Sequence, residues 1–121
     1  MSSEELRAGE LVRRHLPGSR GWLLRDAGRV VAAAILDDLG DEMELAVVSV
    51  APEARGKGYG KALVAAAREH ASRSGVPMFL STSSGNAAAC GAYAACGLRI
   101  ERRIPRDRAG GSDTVCFVWR P

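Results

Sequence analysis

The chain has 121 residues, 46% of them hydrophobic and 26% charged, which is the composition of an ordinary globular domain. No stretch reaches the roughly 18 apolar residues of a membrane-spanning helix, and the first residues are charged where a secretory signal would be apolar. The net charge of +3 is mild and aromatic residues are only 5%, which disfavours a nucleic-acid-binding module. We therefore expect one cytoplasmic domain over residues 1–121.

The first half of the chain predicts a helix followed by three strands. Ser2 and Glu5 have the spacing of a capping box, and an apolar stripe follows them. Residues 26–28 are a turn sequence between two alternating segments, which is typical of a β-hairpin. The predicted elements are a helix over 3–16, strands over 21–25 and 29–36, a polar loop over 37–41, and a valine-rich strand over 42–50.

In the second half the apolar period changes to that of a helix at Gly60. Gly75 stands where a left-handed cap commonly ends a helix, and Asn86 opens a second, alanine-rich helix that Gly97 ends. The remaining elements are strands over 76–81, 98–104 and 114–119, the last two around a turn at 109–112. The order α-β-β-β-α-β-α-β-β predicts a mixed α/β domain with one β-α-β crossover and a C-terminal hairpin.

The segment Arg55–Gly60 carries three alternating glycines between a strand and a helix. Glycines let backbone N–H groups approach a ligand without a Cβ in the way. The unpaired amides and the dipole of the helix N-terminus favour an anion at this place. The segment therefore predicts a phosphate-binding turn.

Two other phosphate motifs do not fit this segment. A Walker A loop needs a glycine at position 55 and a hydroxyl at position 62, where the chain has Arg55 and Ala62. A dinucleotide fingerprint needs a glycine at position 61, which is Lys61, and it normally follows the first strand of a parallel sheet.

Arg55, Gly58 and Gly60 meet the pattern Arg/Gln-x-x-Gly-x-Gly/Ala, and Asn86, Ala89, Tyr93 and Gly97 meet the pattern Asn-x-x-Ala-x-x-x-Tyr-x-x-x-Gly. Together these two motifs resemble the GCN5-related N-acetyltransferase (GNAT) superfamily, and the resemblance covers roughly residues 22–120. The family usually has a strand and two helices before the meander, where this chain has one short helix. The acceptor pocket is therefore expected to be open or to be completed by a second subunit. Leu98 also replaces an aromatic residue common in the family.

The resemblance implies an α/β, GNAT-like mixed sheet with a shortened N-terminal region. It also implies an N-acetyltransferase that moves an acetyl group from acetyl-CoA directly to a primary amine of a small molecule or peptide. A homodimer is compatible with it, and no metal is expected. The alternative is a non-catalytic acyl-CoA-binding or sensing domain of the same fold.

The resemblance also assigns roles to particular residues. Tyr93 is the general acid for the departing thiolate, and Glu44 is the candidate base, with Glu42 as its substitute. The backbone N–H of Val48, at a bulge, is the expected oxyanion donor, and the backbone of Val50 is expected to contact the pantetheine arm.

The remaining predicted contacts concern the cofactor phosphates and the pantetheine. The amides of Gly56, Lys57, Gly58, Tyr59 and Gly60 are expected to bind the pyrophosphate, with the side chains of Lys57 and Tyr59 in solvent. Arg55 and Lys61 are expected to add positive charge nearby. Asn86 is expected to bind the pantetheine, to cap its helix, or to do both.

Two groups of residues are given mainly structural interpretations. Cys90, Cys96 and Cys116 have neither an even number nor a metal-ligand spacing, so we expect small buried residues in a reducing compartment. The arginines over 102–108 are interpreted as a solvated hairpin, with recognition of an acidic acceptor as the functional alternative.

Overall fold

A six-stranded mixed sheet organises the described residues, 19–105 and 111–121, of this computed structural model. The predicted helix over 3–16 and two members of the arginine cluster, Arg106 and Arg108, lie outside the described residues. The strands lie in the order β1-β2-β3-β4-β6-β5. They are β1 (Arg20–Asp26), β2 (Arg29–Asp38), β3 (Met43–Val50), β4 (Met78–Ser83), β5 (Arg99–Ile104) and β6 (Thr114–Trp119).

Two helices follow the predicted pattern, and a short 3-10 turn at Pro52–Ala54 precedes the first. The first helix, α1 (Tyr59–Ser74), ends at Gly75, which has a φ of +72° and whose amide bonds to carbonyls of the last turn. The second, α2 (Ala87–Ala95), begins at Asn86, whose side chain accepts from the amide of Ala89. Within the described ranges no helix has the length and hydropathy that crossing a bilayer requires.

The hydrophobic core lies between one face of the sheet and both helices. Helix α1 contributes Leu63, Val64, Ala67 and Ala71, which recur every three to four residues and are buried. Helix α2 contacts the same core through Tyr93, whose ring meets Phe117 of β6 edge-to-face at 5.4 Å. Both helices therefore pack on a single face of the sheet.

Several predicted boundaries are off by one or two residues, the end of the fourth strand at Ser83 among them, and two of the differences have a visible cause. Residues 37 and 38, predicted in a loop, extend β2, because they pair with β3 and because Ser19 Oγ donates to the buried Asp37 carboxylate at 2.8 Å. The fourth strand begins at Met78, since the amide of Val76 bonds to the end of α1 and Pro77 has no N–H.

Strands β3 and β4 run parallel but pair only at Met43–Met78 and Glu44–Phe79. Beyond these pairs the two strands diverge, while β6 stays paired along the whole of β4. A register shift against β2 leaves Ala46 as the extra residue of a bulge, which bends β3. The bulge expected at Val48 therefore lies two residues earlier, and a V-shaped gap opens between β3 and β4.

Candidate functional site

The glycine-rich turn over residues 55–60 leads into α1 at the open end of this gap, and we call it the phosphate turn after its predicted ligand. Gly56 and Gly58 have φ values of +80° and +83°, a conformation that favours glycine, and Gly58 is the N-cap of the helix. A Cβ built on either residue meets no atom of the described residues within 4 Å. The surface above the turn is therefore open to a ligand.

The backbone amides of the turn are available for hydrogen bonds. The first intrahelical bond is donated by Ala62 to the carbonyl of Gly58 at 3.0 Å, so the amides of 59–61 precede the helical ladder. Among the described residues none accepts from them. Arg55 and Lys61 are exposed on either side, and a set of free amides with nearby cations suits a pyrophosphate.

The side chains of Lys57 and Tyr59 do not simply face solvent. The Tyr59 hydroxyl donates to Asp26 Oδ2 at 2.9 Å, and the pKa of Tyr59 is raised mainly by this hydrogen bond. Lys57 Nζ lies 3.6 Å from the same carboxylate oxygen. Lys57 is exposed as expected, and both side chains also contact Asp26 because the β1–β2 turn lies next to the phosphate turn.

The register of the sheet directs the Val48 and Val50 amides into the gap. Ala51 donates to the carbonyl of Val31, which marks a hydrogen-bonded pair of the antiparallel ladder. Because such pairs alternate, the pairs Ala34–Val48 and Ala32–Val50 are not hydrogen-bonded, and both valine amides point away from β2. They face the side on which β4 has diverged.

Helix α2 carries Asn86 at its N-terminus and Tyr93 further along, on the face of the sheet where α1 also packs. Asn86 Oδ1 accepts from Ala89 N at 3.2 Å, so its capping role is present and its amide NH₂ stays available. Tyr93 is half-buried, and burial, then the nearby Cys90, raises its pKa. The phenol therefore keeps its proton at neutral pH.

Glu44 lies at the closed end of the gap, on the face opposite the helices. It stands directly across from Asp37 on β2 and Phe79 on β4. Three regular strand steps and the bulge separate it from Val48, a distance of about 10 Å. The structure thus brings together the phosphate turn, the valine amides and α2, but places Glu44 at the far end.

Sequence reasoning missed two carboxylates near this region. Asp37 lies beside Glu44 because β2 is longer than predicted, and the two consecutive aspartates at 37 and 38 give no strand signal in the sequence. Asp26 was identified only as a turn residue. Its contact with the phosphate turn spans more than 30 residues and leaves no pattern in the sequence.

A cavity of about 390 Å³ opens on the face opposite the helices. The Arg120 guanidinium forms two hydrogen bonds to Glu101 across it, at 2.7 and 2.9 Å, and this contact lowers the pKa of Glu101. No residue of the phosphate turn lines it. Its lining residues are Glu42, Pro77, Phe79, Glu101, Arg102, Cys116, Val118 and Arg120.

The cysteines and possible metal ligands add no separate site. All three cysteines are free, and Cys96 is buried while Cys90 and Cys116 are half-buried. Within 19–105 and 111–121 no group of three His, Cys, Asp or Glu side chains is arranged to hold a metal ion.

Comparison with known proteins points to one family. A profile described as the Acetyltransferase (GNAT) family matches residues 2–98. A search of curated proteins gives no match. Nourseothricin acetyltransferase is 25% identical with a TM-score of 0.71, and the match covers 84% of this chain and 65% of that protein. The chain thus spans less than two thirds of that protein's length.

Two further structures match over nearly the whole chain. The ribosomal-protein-S18-alanine N-acetyltransferase of Escherichia coli is 20% identical with a TM-score of 0.76, and the match covers 98% of this chain and 88% of that one. The Salmonella typhimurium protein yncA, solved with its cofactor acetyl-CoA, is 22% identical with a TM-score of 0.79, covering 98% and 74%.

The predicted fold class is confirmed by the sheet and the two helices, which these neighbours share. Since the family profile also covers most of the sequence, the chain belongs to the acetyltransferase (GNAT) family, whose enzymes use acetyl-CoA as co-substrate.

Proposed function

We propose that this protein transfers the acetyl group of acetyl-CoA directly to a primary amine within a ternary complex. The observation that carries the proposal is the V-shaped gap, which has the phosphate turn at its open end and the free amides of Val48 and Val50 along its side. This arrangement offers hydrogen-bond donors to a diphosphate and to a thioester carbonyl on one continuous path.

The phosphate end of the path fits the cofactor. The Gly56 and Gly58 positions are open to a ligand, and the amides of 59–61 lack described acceptors. The side chains of Arg55 and Lys61 have no described partner, so their charges are available to the phosphates. Asn86, which caps α2 through its oxygen, keeps its NH₂ group for the pantetheine arm.

The other end supplies the groups that acetyl transfer needs. Acetyl-CoA supplies the acetyl group as a thioester. The N–H of Val48 donates to the carbonyl oxygen as that oxygen gains negative charge. Tyr93 holds a proton at neutral pH, because burial raises its pKa, and donates it to the thiolate as the carbon–sulfur bond breaks.

The attacking amine must lose a proton, since an alkyl amine with a pKa of about 10.4 is almost fully protonated at neutral pH. Glu44 is the proposed base, and it acts through water because it lies about 10 Å along the strand from Val48. Glu42, which lines the cavity, is the substitute base. We propose that the acceptor approaches from this face, which no described helix covers.

The first experiment is a calorimetric titration with acetyl-CoA of the wild-type protein and of two glycine variants. Gly58→Glu places a carboxylate at the phosphate turn, and we expect it to abolish binding by charge repulsion and by filling the open surface. Gly75→Glu is the matched control, because Gly75 has a similar left-handed φ and open surroundings at the other end of α1.

Binding that survives in Gly75→Glu but not in Gly58→Glu would support the cofactor site and justify a screen of amine acceptors. Initial-rate lines that intersect when both substrates are varied would support the ternary complex. Absence of binding to the wild-type protein at millimolar acetyl-CoA would contradict the proposal. Binding without turnover of any amine would favour the acyl-CoA-sensing alternative.

A further inference from the structure

The Asp26 carboxylate lies beside the proposed phosphate site, where its negative charge alone would repel an anion. Asp26 Oδ2 accepts the Tyr59 hydroxyl at 2.9 Å and lies 3.6 Å from Lys57 Nζ. The two partners flank Gly58, the N-cap of α1. One oxygen atom of the β1–β2 turn therefore holds the phosphate turn on both sides of its left-handed glycine.

The β1–β2 turn is a firm anchor for these contacts. Asp26 is the last residue of β1 and pairs with Arg29 of β2. Between them Ala27 and Gly28 both have a positive φ, as a tight two-residue hairpin requires. The Arg25 guanidinium donates to the carbonyl of Gly28 at 3.2 Å. The carboxylate is thus held by the sheet.

The phosphate turn needs such an anchor. Glycine has more backbone freedom than other residues, and two glycines with positive φ lie within three residues of each other. If a ligand must order these amides when it binds, the entropic cost of ordering lowers its affinity. Amides that are already held in place avoid that cost. Contacts at Lys57 and Tyr59 restrict the segment that carries these amides.

We propose that Asp26 is a positioning residue for cofactor binding: through Tyr59 and Lys57 it holds the amides of 56–61 in the orientation that binds the pyrophosphate. The inference rests on the proposed function. The Lys57 ammonium and the Tyr59 hydroxyl both point at the carboxylate, and they offset its repulsion of the phosphates.

The experiment compares the wild-type protein with Asp26→Ala, Tyr59→Phe and Asp38→Ala. Asp38→Ala is the matched control, because it removes an exposed carboxylate that accepts one hydrogen bond, from Gly40, at the other end of β2. We expect the Kd of CoA to rise about three- to tenfold in Asp26→Ala and Tyr59→Phe, the effect of one or two lost hydrogen bonds, and to stay unchanged in Asp38→Ala.

A second readout separates positioning from general damage. Acetyl-pantetheine carries the thioester but no phosphate groups, so its kcat/KM should be unchanged in Asp26→Ala while that of acetyl-CoA falls. Amide hydrogen exchange without any cofactor should be faster over 56–61 in Asp26→Ala.

The possible failures are distinguishable. Equal or tighter CoA binding by Asp26→Ala would overturn this inference and leave the proposed function intact, as would equal losses with acetyl-CoA and acetyl-pantetheine. A wild-type protein that binds no CoA would overturn both, even if the exchange of 56–61 depended on Asp26.

Discussion

At the scale of single residues, the chemistry depends on what surrounds each titratable side chain. Tyr93 lies half-buried against Phe117, and burial followed by the neighbouring Cys90 raises its pKa above the ordinary 10.0. A raised pKa makes the phenol a weaker acid but keeps its proton in place over a wider pH range. Tyr93 is therefore suited to protonate a departing thiolate and not to act as a base.

We expect Tyr93→Phe to lower kcat by roughly 10²-fold, the usual contribution of a general acid, and to leave the Kd of acetyl-CoA nearly unchanged. In the wild-type protein, loss of the Tyr93 proton should lower kcat only above pH 10, because its pKa is raised. Tyr93→Phe should lack this decline. A pH profile of kcat for both proteins measures it, and a variant with wild-type kcat would exclude Tyr93 as the acid.

The two candidate bases can be separated by the pH at which they matter. We expect Glu44→Gln to lower the rate roughly 10²-fold at neutral pH and to recover as the pH approaches the amine pKa of about 10.4, where the acceptor deprotonates by itself. Glu42→Gln, with the same change two residues away, should keep most of the rate. The reverse order of the two variants would transfer the role to Glu42.

At the scale of the elements, the motif that runs from Asn86 to Gly97 mainly marks where α2 begins and ends. Asn86 caps its first turn, and Gly97 follows its last turn with a φ of +85°. Arg68 of α1 donates to the carbonyl of Cys96 at 2.8 Å and ties the two helices together at this point. The final glycine of the motif therefore has a structural role at the end of α2.

Replacement of Gly97 by alanine should lower the free energy of unfolding by about 1–2 kcal/mol, because alanine is strained at positive φ. Its Cβ would also lie 3.3 Å from Arg68 Nη1. Gly91→Ala in the middle of α2 is the control, and it should raise stability by up to about 1 kcal/mol, since nothing lies within 4 Å of its Cβ. Urea unfolding of both variants measures the difference, and equal stabilities would contradict the assignment.

At the scale of the whole molecule, the candidate site lies where two neighbouring strands separate. Strand β3 is paired with β2 along its length, and β4 is paired with β6 along its length, but β3 and β4 share only two residue pairs. The bulge at Ala46 bends β3 at the point of divergence. Backbone groups that a continuous sheet would pair between β3 and β4 are thereby left without a strand partner among the described residues.

A pair of proline substitutions tests this arrangement. The Val48 amide points into the gap, so Val48→Pro should keep the fold, with some loss of stability, and lower kcat by about 10²–10³-fold through loss of one oxyanion donor. The Val47 amide belongs to a hydrogen-bonded pair with Ile35, so Val47→Pro should disrupt the sheet. Circular dichroism measures the fold of both variants, and kinetics measure their kcat. A fully active Val48→Pro protein would exclude the Val48 amide as the oxyanion donor.

The sequence by itself determined the order of the elements from β1 to β6, the glycine-rich turn before α1 and the two helix boundaries at Gly75 and Asn86. Local rules suffice there, because periodicity, capping and left-handed glycines act within a few residues. Only the tertiary structure decided that the Val48 and Val50 amides point into a gap, that Asp37 lies beside Glu44, and that Asp26 contacts Lys57 and Tyr59. These depend on strand register and on contacts between distant segments, which no pattern of neighbouring residues encodes.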